Sequence, residues 1–418
     1  MEIDADRLRA DILSNAEFGA VDADEGRGRT VLTGSDADRF ARERLVDRLR
    51  AAGLTVRVDA VGTIAGRWGP DGVDPETAPV AMGSHLDSVR RGGIFDGPLG
   101  VYGALEAVRA IQAADVTPDR PLEVVSFTEE EGGRFGIGTL GSSVATGALD
   151  TSDALALEDE QGVTLGDRLA DVGFDGDDEI DPVRWNAWLE LHVEQGTRLE
   201  TSGAAVGVVD AVAGITNVTV EVRGEADHAG STPMTDRADA LVAAAEFVEA
   251  VEAVARDVAA THPTAVATVG KHDVEPNVRN VVPGRVEMTM DLRDIDHGRM
   301  DDLVERCRGA LDRIADDRPV TTSFERFRDD PPRPLADRCI DAAEAVAKAR
   351  SVPAERLHSA AIHDTANVSS VTDTGLLFAP SEDGRSHSPK EWTDWADCAT
   401  ASAVLAGTAL QLTGASDE

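Results

Sequence analysis

Apolar residues recur along the chain with two periods, and each period predicts a different kind of element. Spacings of three and four residues are typical of helices with one buried face, whereas compact apolar runs are typical of buried strands. Helices are predicted over 4–19, 36–53, 98–114 and 335–349. Strands are predicted within 54–68 and over 78–85, 121–132, 185–196 and 375–379. Helices and strands therefore alternate, as in an α/β domain.

The middle of the chain has a different order of elements. The pattern there predicts a strand over 216–230, an alanine-rich helix over 237–260, strands within 264–294, a helix over 298–315 and a strand over 320–327. This β-α-β-β-α-β order is typical of a ferredoxin-like α+β domain. We therefore predict a discontinuous α/β domain with a central mixed sheet flanked by helices over 1–212 and 327–418. The ferredoxin-like domain would be inserted over 213–326.

The charge of the chain is strongly negative. Its 418 residues carry a formal net charge of −38, 3 of the 40 basic residues are lysine, and 42% of the residues are hydrophobic. Enough apolar residues are present for a sizeable core, so the acidity indicates an acid-coated folded protein rather than a disordered chain. This composition resembles that of cytoplasmic proteins from extreme halophiles. Nucleic acid is not an expected partner, because its phosphates would be repelled.

Cysteine usage and targeting signals point to a cytoplasmic protein. The three cysteines are odd in number and lack CxxC spacing, so neither a disulfide framework nor a structural zinc knot is expected. The segment MEIDADRLRADIL has no basic region followed by an apolar stretch. No apolar run reaches the length of a membrane span, so no membrane partner is expected.

Ionisable side chains follow several of the predicted strands. In open α/β sheets the site lies outside the carboxyl ends of the strands, so these side chains are expected to lie close together. The chain has nine histidines, and three of them belong to this set. The set consists of His85, Asp87, Asp96, Glu129, Glu130, Glu131, His192 and His387.

Each of these residues alone has an ordinary explanation. A histidine after a strand is usually packed, an aspartate in a glycine loop usually forms a turn, and an acidic triplet is usually a solvated helix start. Together, however, they form the mixed nitrogen and oxygen ligand set of borderline divalent metals. A metal pair needs a bridging carboxylate, and an unligated carboxylate beside it can serve as general base. The acidic run is then tolerable, because a dication lies against it.

Seven motifs, in order along the chain, carry a family resemblance that covers roughly residues 10–412. They are GSHLDSV, FDGPLGV, TEEEGGRFG, LELHVEQG, DHAGSTPM, NVVPG…DLR and GRSHSP. The chain resembles the metal-dependent amidohydrolases that act on N-carbamoyl amino acids, β-ureidopropionate and allantoate, a branch of the M20 dinuclear-metal aminoacylase and carboxypeptidase superfamily. The resemblance implies a zinc-peptidase-like first domain, and an inserted domain that serves as a lid and as a homodimer contact.

The resemblance implies two divalent metal ions in each subunit. One ion would be held by His85 and His192, the other by Glu131 and His387, and Asp96 would bridge them. Zinc is the expected metal, although manganese, cobalt and nickel tolerate the same ligands.

The resemblance also implies roles for the neighbouring carboxylates. Glu130, directly before the ligand Glu131, would be the general base. Asp87 would hydrogen-bond to His85 and fix its tautomer. Glu129 would be a neighbour that either supports the site or is exposed.

Substrate-binding roles follow from matching positions in the same motifs. They fall on Gln195, His228, Asn280, Arg293 and His363, and His228 would in addition stabilise an oxyanion. Arg293 suits a bidentate grip on a substrate carboxylate. Ordinary alternatives exist as well: Arg293 could form a surface ion pair, Asn280 a turn, and His228 a helix cap.

One stretch departs from the family pattern. SAAIHDTAN, residues 359–367, stands where the family usually has SGAGHDA. His363 and Asp364 are kept, but Ile362 replaces a glycine whose backbone helps to shape the substrate pocket. This substitution affects the identity of the substrate more than the metal chemistry.

The predicted activity is hydrolysis of the ureido C–N bond of N-carbamoyl-L-amino acids to amino acid, ammonia and carbon dioxide. The ureido acid would be a small-molecule partner. Allantoate amidohydrolase is the nearest alternative, because it would use the same site. An aminoacylase or dipeptidase of the same superfamily and a catalytically silent binding protein are the others. His192 speaks against the peptidase branch, which usually has a carboxylate at that position.

We expect the protein to be more stable in molar potassium chloride than in dilute buffer. At about 1 M salt the Debye length is about 3 Å, so the repulsion among the excess carboxylates is screened. Thermal unfolding at pH 7 in both media, with sucrose as an uncharged control, would measure the difference. Equal unfolding midpoints in both media would contradict the expectation.

Overall fold

Residues 1–114 and 116–414 are described by the computed structural model, and the chain divides into two compact units. The first unit comprises Met1–Asp210, Leu335–Leu357 and Ala361–Glu418, and the second comprises Ala211–Pro334 and His358–Ala360. The predicted insert ends at 326. The second unit continues to Pro334 because its last long strand runs on to Asp330.

Short strands and helices alternate along most of the chain. The strands, in chain order, are β1 (Ala20–Val21), β2 (Gly28–Arg29), β3 (Thr55–Val58), β4 (Ile64–Trp68), β5 (Val80–His85), β6 (Leu122–Phe127), β7 (Ala187–Val193), β8 (Val206–Val212), β9 (Gly214–Arg223), β10 (Asp227–His228), β11 (Val266–Glu275), β12 (Val281–Val282), β13 (Arg285–Asp294), β14 (Thr321–Asp330), β15 (Arg333–Pro334), β16 (Ala354–Ser359) and β17 (Thr374–Ala379). The helices are α1 (Ala5–Ala16), α2 (Asp36–Ala51), α3 (Pro98–Ala113), α4 (Leu140–Ala145), α5 (Thr151–Leu155), α6 (Leu165–Val172), α7 (Arg198–Ser202), α8 (Ala240–Ala259), α9 (His297–Asp317), α10 (Asp337–Ala349), α11 (Asp364–Val368) and α12 (Trp395–Leu412). Single 3-10 turns lie at Pro182–Arg184, Met234–Asp236 and Glu382–Gly384.

The large sheet is mixed, as predicted. Its strand order is β15-β8-β17-β7-β5-β6-β4-β3, with β16 paired to β8. The four central strands β17, β7, β5 and β6 are parallel, and antiparallel strands flank them on both sides. Every residue of these four strands is buried, because helices cover both faces of a parallel sheet. The prediction of a mixed α/β fold is therefore confirmed.

Helix α3 is the central helix of the first unit. It packs on β5, β6 and β7, and α12 packs against it together with α1. The start of α3 is sharply defined: Gly97 has φ 80° and Pro98 takes the first helical position, where a missing N–H costs nothing. A Cβ on Gly97 would lie 2.6 Å from the His85 ring, so only glycine lets this helix approach that histidine.

Helix α12 is the longest helix, and strand β8 the longest strand, among the elements of the first unit that had no sequence prediction. Helix α12 is apolar around most of its circumference and is largely buried, so it lacks the polar face that marks an amphipathic helix. Strand β8 is short and follows a turn at Gly203, and its apolar run gives no clear period.

The second unit is built as predicted from a β-α-β-β-α-β sequence. Its antiparallel sheet has the order β11-β13-β9-β14, and helices α8 and α9 pack on it. Strand β13 alternates buried and partly exposed residues along its whole length, which is the pattern of a sheet with one covered face. The core between helices and sheet includes Val220, Phe247, Met288 and Leu303.

None of the helices in the described part of the chain combines the length and the apolar composition needed to cross a membrane.

Candidate metal centre

The carboxyl ends of β5, β6, β7 and β17 lie at one edge of the large sheet. These strands are parallel neighbours, and their register places His85 beside Phe127 and His192 beside Phe378. The acidic run 129–131 follows β6, and the GRSHSP loop follows β17. The topology therefore brings together side chains that are far apart in the sequence, as expected for an open α/β sheet.

Three buried side chains form the first ligand group. Oδ1 of Asp96 lies 3.4 Å from Nε2 of His85 and 3.1 Å from Nε2 of His192. The other ring nitrogen, Nδ1, lies 3.2 Å from the Asp87 carbonyl in His85 and 3.0 Å from the Val193 carbonyl in His192. Donation from Nδ1 to a carbonyl leaves the lone pair on Nε2, so both imidazoles can bind one metal ion together with Asp96.

A second ligand group uses the other oxygen of the same aspartate. Nε2 of His387 lies 3.5 Å from Oδ2 of Asp96 and 3.3 Å from Oε2 of Glu131. The side chain of His387 is 51% exposed, and its backbone has φ 53°. Asp96 thus presents one oxygen to each ligand group, which is the arrangement of a carboxylate that bridges two metal ions.

The chemistry of these residues fits a pair of divalent cations. Nε2 of His85 is buried and has no hydrogen-bond partner among the described residues. Burial, together with the Asp96 carboxylate, raises the pKa of Glu131 to about 8. Burial alone would raise the pKa of Asp96 as well, but His192 and His85 hold it well below its usual range. Imidazole nitrogens and carboxylate oxygens in this proportion suit borderline metals such as zinc, and the cations would offset the crowded negative charge.

Glu130 lies beside the first ligand group without belonging to either. Its side chain is 10% exposed, and Oε2 lies 3.7 Å from Nε2 of His85. Burial raises the pKa of Glu130 well above its ordinary value, although His85 acts in the opposite direction. A carboxylate in this position can accept a proton from water close to the metal ions.

The Asp87 carboxylate hydrogen-bonds to the acidic loop, and its contact with the His85 imidazole is longer. Its two carboxylate oxygens accept the main-chain N–H groups of Glu130 and Glu131, at 3.2 and 3.1 Å. The hydrogen bond of His85 goes to the Asp87 carbonyl, whereas the Asp87 carboxylate lies 3.6 Å from Nδ1. The His85 tautomer is therefore set mainly by the main chain, and the Asp87 carboxylate orients the two glutamates.

Glu129 is not exposed, so that part of the expectation is wrong. It is fully buried, and its Oε1 accepts the main-chain N–H groups of Arg134 and Phe135, each at 2.7 Å. Its φ of 54° turns the chain back after β6. Burial, with the Asp87 carboxylate, raises the pKa of Glu129 to about 7. The Glu129 carboxylate thus stabilises the loop that carries Glu130. The acidic run in the sequence does not indicate these hydrogen bonds.

Gln195, predicted to bind substrate, contacts the bridging carboxylate. Its Nε2 donates to Oδ2 of Asp96 at 3.2 Å and to Oγ of Ser386 at 3.1 Å. The Ser386 hydroxyl in turn donates to Oδ2 of Asp96 at 2.6 Å. The amide of Gln195 is therefore engaged with the ligand residues.

The variant stretch 359–367 also reaches the centre. The ring of His363 is buried, with its centroid 4.6 Å from that of His192. Asp364 accepts the hydroxyl of Ser142 at 2.6 Å. Thr365 donates through its hydroxyl to buried Glu190 at 2.6 Å. His363 is thus placed beside a ligand histidine, while its successors anchor the stretch to the first unit.

His228 belongs to the second unit and is exposed. Its Nδ1 accepts the main-chain N–H groups of Gly230 and Ser231, at 3.0 and 3.1 Å. An imidazole that accepts through Nδ1 carries its proton on Nε2 when neutral. The DHAGS motif therefore holds His228 as a hydrogen-bond donor.

Arg293 and Asn280 also lie in the second unit. Arg293 donates through Nε to Asp291 at 2.8 Å and through Nη1 to the carbonyl of Ala360 at 2.6 Å. The ordinary explanation, an ion pair on a strand, thus describes its contacts, and the same contacts fix the plane of its guanidinium group. Asn280 is exposed, and its carbonyl accepts the N–H of Ala229, which lies next to His228.

Two buried charged residues next to the ligands were missed in the sequence. Arg29 lies in the two-residue strand β2, where no periodicity points to it. Glu391 follows the GRSHSP motif, and its carboxylate accepts the main-chain N–H groups of Phe95 and Asp96. In the sequence, Glu391 is marked only by its position as an isolated acidic residue between His387 and the aromatic residues that follow.

A shared aspartate, three histidines and Glu131 at the strand ends form a candidate site for two metal ions, with Glu130 beside it, as in the dinuclear-metal hydrolases. The model of the family "Peptidase family M20/M25/M40" matches residues 81–411. An N-carbamoyl-L-amino acid amidohydrolase from Geobacillus stearothermophilus is 38% identical over 400 residues, which cover 95% of this chain and 96% of that protein. The chain belongs to the M20/M25/M40 peptidase family, whose members generally depend on two metal ions.

Other relatives widen the range of activities in the family. A ureidoglycolate hydrolase from Arabidopsis thaliana is 36% identical, over 90% of this chain and 81% of its own. An allantoate amidohydrolase from Bacillus subtilis is 33% identical, over 90% of both chains. The solved structure of a hydantoinase/carbamoylase family amidase from Burkholderia ambifaria superposes with a TM-score of 0.93 and 35% identity, over 100% of both chains. These relatives are named hydrolases, and this chain is a hydrolase of the same family.

We expect a chelator to remove the two metal ions in two phases. The ion held with His387 should leave first, because this ligand is half exposed, whereas His85 and His192 are buried. Metal content after addition of dipicolinate, measured over time by mass spectrometry, would resolve the phases. His387→Ala should lose the fast phase, and His262→Ala, an exposed histidine of the second unit, should keep both. A single phase in the unaltered protein would contradict the assignment.

Proposed function

We propose that this protein hydrolyses the ureido C–N bond of N-carbamoyl-L-amino acids. The observation that carries the proposal is the position of Glu130 beside two ligand groups that share Asp96. The relatives named N-carbamoyl-L-amino acid amidohydrolases support the choice of substrate, because they match nearly the whole chain.

The proposal assigns the metal ligands as the family resemblance implies. His85 and His192 would hold one ion, Glu131 and His387 the other, and Asp96 both. Two divalent ions held there would supply Lewis-acid activation of the attacking water and of the substrate carbonyl. Zinc is our first choice, with manganese, cobalt and nickel as alternatives, because the ligand set does not discriminate strongly among them.

Glu130 would carry the proton during the reaction. It takes a proton from the attacking water as the new C–O bond forms at the carbamoyl carbon. It then delivers the proton to the amino-acid nitrogen as that C–N bond breaks. The carbamate that leaves decomposes to ammonia and carbon dioxide, so one water molecule is consumed for each substrate.

Residues of the second unit would hold the substrate. His228 would donate through Nε2 to the developing oxyanion. Arg293, oriented by Asp291, would grip the substrate carboxylate, and Asn280 would add a hydrogen bond. Gln195 and His363, which belong to the first unit, would bind the substrate as well.

A second candidate function uses the same site on a different ureido acid. The relatives named ureidoglycolate hydrolase and allantoate amidohydrolase favour it. Ile362 keeps the choice between the ureido acids open, because it places a branched side chain directly before His363. An aminoacylase or dipeptidase activity is the third candidate, and His192 argues against it.

The second unit offers a surface for a homodimer, with the lid role implied by the resemblance. Strand β11 is an edge strand, paired with β13 on one side, and Val266 on it is 48% exposed. Helix α8 packs next to β11 and exposes Leu241, Val242 and Val248. An open strand edge beside apolar side chains favours association with a second copy of the chain.

The substrate assignment predicts ammonia release from N-carbamoyl-L-amino acids and none from allantoate. The assay would use molar potassium chloride with added zinc or manganese, and a panel that adds β-ureidopropionate, ureidoglycolate, an N-acetyl amino acid and a dipeptide. Ammonia from allantoate or ureidoglycolate alone would support the second candidate instead. Amine release from the acetyl or dipeptide substrates alone would contradict both.

The variant Glu130→Gln tests the assignment of the base in the same assay, because it keeps the shape of the side chain and removes the base. We expect turnover to fall by about 10²–10⁴-fold, the usual contribution of general acid–base catalysis. Metal content should stay at the unaltered level, because Glu130 is not assigned as a ligand. Full turnover in this variant would show that another group moves the proton.

We expect the protein in solution to have twice the mass of one chain. Val248→Asp should shift the mass towards a single chain, because a carboxylate on α8 would be buried without a partner in the contact. Light scattering would measure the mass, and Val183→Asp, at a valine of the first unit that is 62% exposed against 41% for Val248, is the control. A single-chain mass for the unaltered protein would rule out the dimer.

A further inference from the structure

Two buried charged residues form hydrogen bonds with the main chain of Asp96, one with its carbonyl and one with its N–H. Arg29 is 0% and Glu391 is 2% exposed. Neither residue belongs to a ligand group, and no sequence motif assigns a role to either of them. Buried charges are costly unless their hydrogen bonds are satisfied, so their contacts need an explanation.

The guanidinium group of Arg29 ties two ligand loops together. It donates to the carbonyls of Leu86 at 3.0 Å and Asp87 at 3.3 Å, in the loop directly after His85. It also donates to the carbonyls of Gly93 at 3.1 Å and Asp96 at 3.2 Å. One planar, five-donor group therefore fixes the distance between the His85 loop and the Asp96 loop.

The carboxylate of Glu391 fixes the other side of the same peptide segment. Its Oε1 accepts the N–H groups of Phe95 at 2.8 Å and Asp96 at 3.0 Å. Its Oε2 lies 3.2 Å from the Ser386 hydroxyl, which is hydrogen-bonded to Oδ2 of Asp96. A Cβ on Gly93 would lie 2.1 Å from Glu391, so a glycine is needed there for the carboxylate to fit.

We propose that Arg29 and Glu391 are positioning residues that hold Asp96 so that each of its carboxylate oxygens faces a different metal ion. Arg29 holds the carbonyl of Asp96, and Glu391 holds its N–H. The inference rests on the dinuclear site of the proposed function. It assigns to these residues the spacing of the two ligand groups, rather than any contact with substrate.

The bridging position of Asp96 explains why its main chain has to be held in place by Arg29 and Glu391. Two cations held by these ligand groups would repel each other, and a bridging carboxylate that can rotate would favour one ion over the other. Asp96 lies in a glycine-rich loop, which by itself restrains the backbone poorly. The Asp96 carbonyl accepts from Arg29 and the Asp96 N–H donates to Glu391, and these hydrogen bonds with groups of opposite charge supply the restraint that the loop lacks.

The test uses the full-length protein with Co²⁺ as the only added metal. Unaltered protein should bind two Co²⁺ ions per chain, and the pair should show the magnetic coupling of ions joined by a bridge. Glu391→Gln keeps the shape of the side chain and removes the charge; Arg29→Lys keeps the charge and removes the planar fork. In both variants we expect affinity for one Co²⁺ to fall by about 10- to 100-fold, with weakened coupling.

Matched controls separate positioning from a general loss of stability. Glu123→Gln changes a buried carboxylate at the start of β6, where it accepts from Trp185, and Arg109→Lys changes a guanidinium group that pairs with Asp11. Both controls should bind two coupled Co²⁺ ions. If Arg29→Lys does not fold, as judged by its unfolding transition, Glu391→Gln carries the test.

The outcomes distinguish this inference from the proposed function. Two Co²⁺ ions bound to both variants with unaltered affinity and coupling would overturn the positioning role. A single Co²⁺ in the unaltered protein would overturn it together with the dinuclear assignment. A coupled pair that is lost in the variants would support the inference, even if the substrate panel released no ammonia from any ureido acid.

Discussion

Negative charge crowded into a buried space is the constraint on which the rest of this structure depends. Asp87, Asp96, Glu129 and the two glutamates after it meet at the edge of one sheet, where water screens them poorly. Three means of compensation are visible around them. Main-chain N–H groups point at Asp87 and Glu129, ligand imidazoles face Asp96, and the geometry leaves positions for cations. The fold can hold this cluster because the carboxyl ends of four parallel strands share one edge.

Main-chain hydrogen bonds determine the shape of the site more than contacts between side chains do. The Asp87 carboxylate binds two N–H groups, Glu129 binds two, and the His85 ring bonds to a carbonyl. Main-chain groups are fixed by the fold, so they orient a carboxylate with little further loss of freedom. The loops between strand and helix are therefore the rigid parts of the centre, although their sequences are rich in glycine. His387 is the exception, because its side chain is half exposed.

The sequence was sufficient to predict the elements that have strong local signals, and the side chains that meet where those strands end. Buried apolar runs mark β5, β6 and β7, and the polar residues after them mark the site, because strand ends must converge in such a sheet. Arg29 and Glu391 could not be predicted in this way, since their roles depend on main-chain carbonyls and N–H groups of distant loops. The sequence left open whether Glu129 supports the site or is exposed, since the N–H groups of Arg134 and Phe135 that bind its carboxylate cannot be located from composition. Helix α12 was missed because a helix that is apolar all round gives no periodic signal.

The sharing of Asp96 between two ligand groups has a thermodynamic consequence. Metal binding at one position would change the free energy of binding at the other, and the change would be the same whichever ion binds first. The two positions therefore form one linked system, and the fraction of half-loaded protein depends on the coupling free energy as well as on two separate affinities. Any change that loosens the Asp96 peptide alters this coupling, even where all the remaining ligands of both ions are intact.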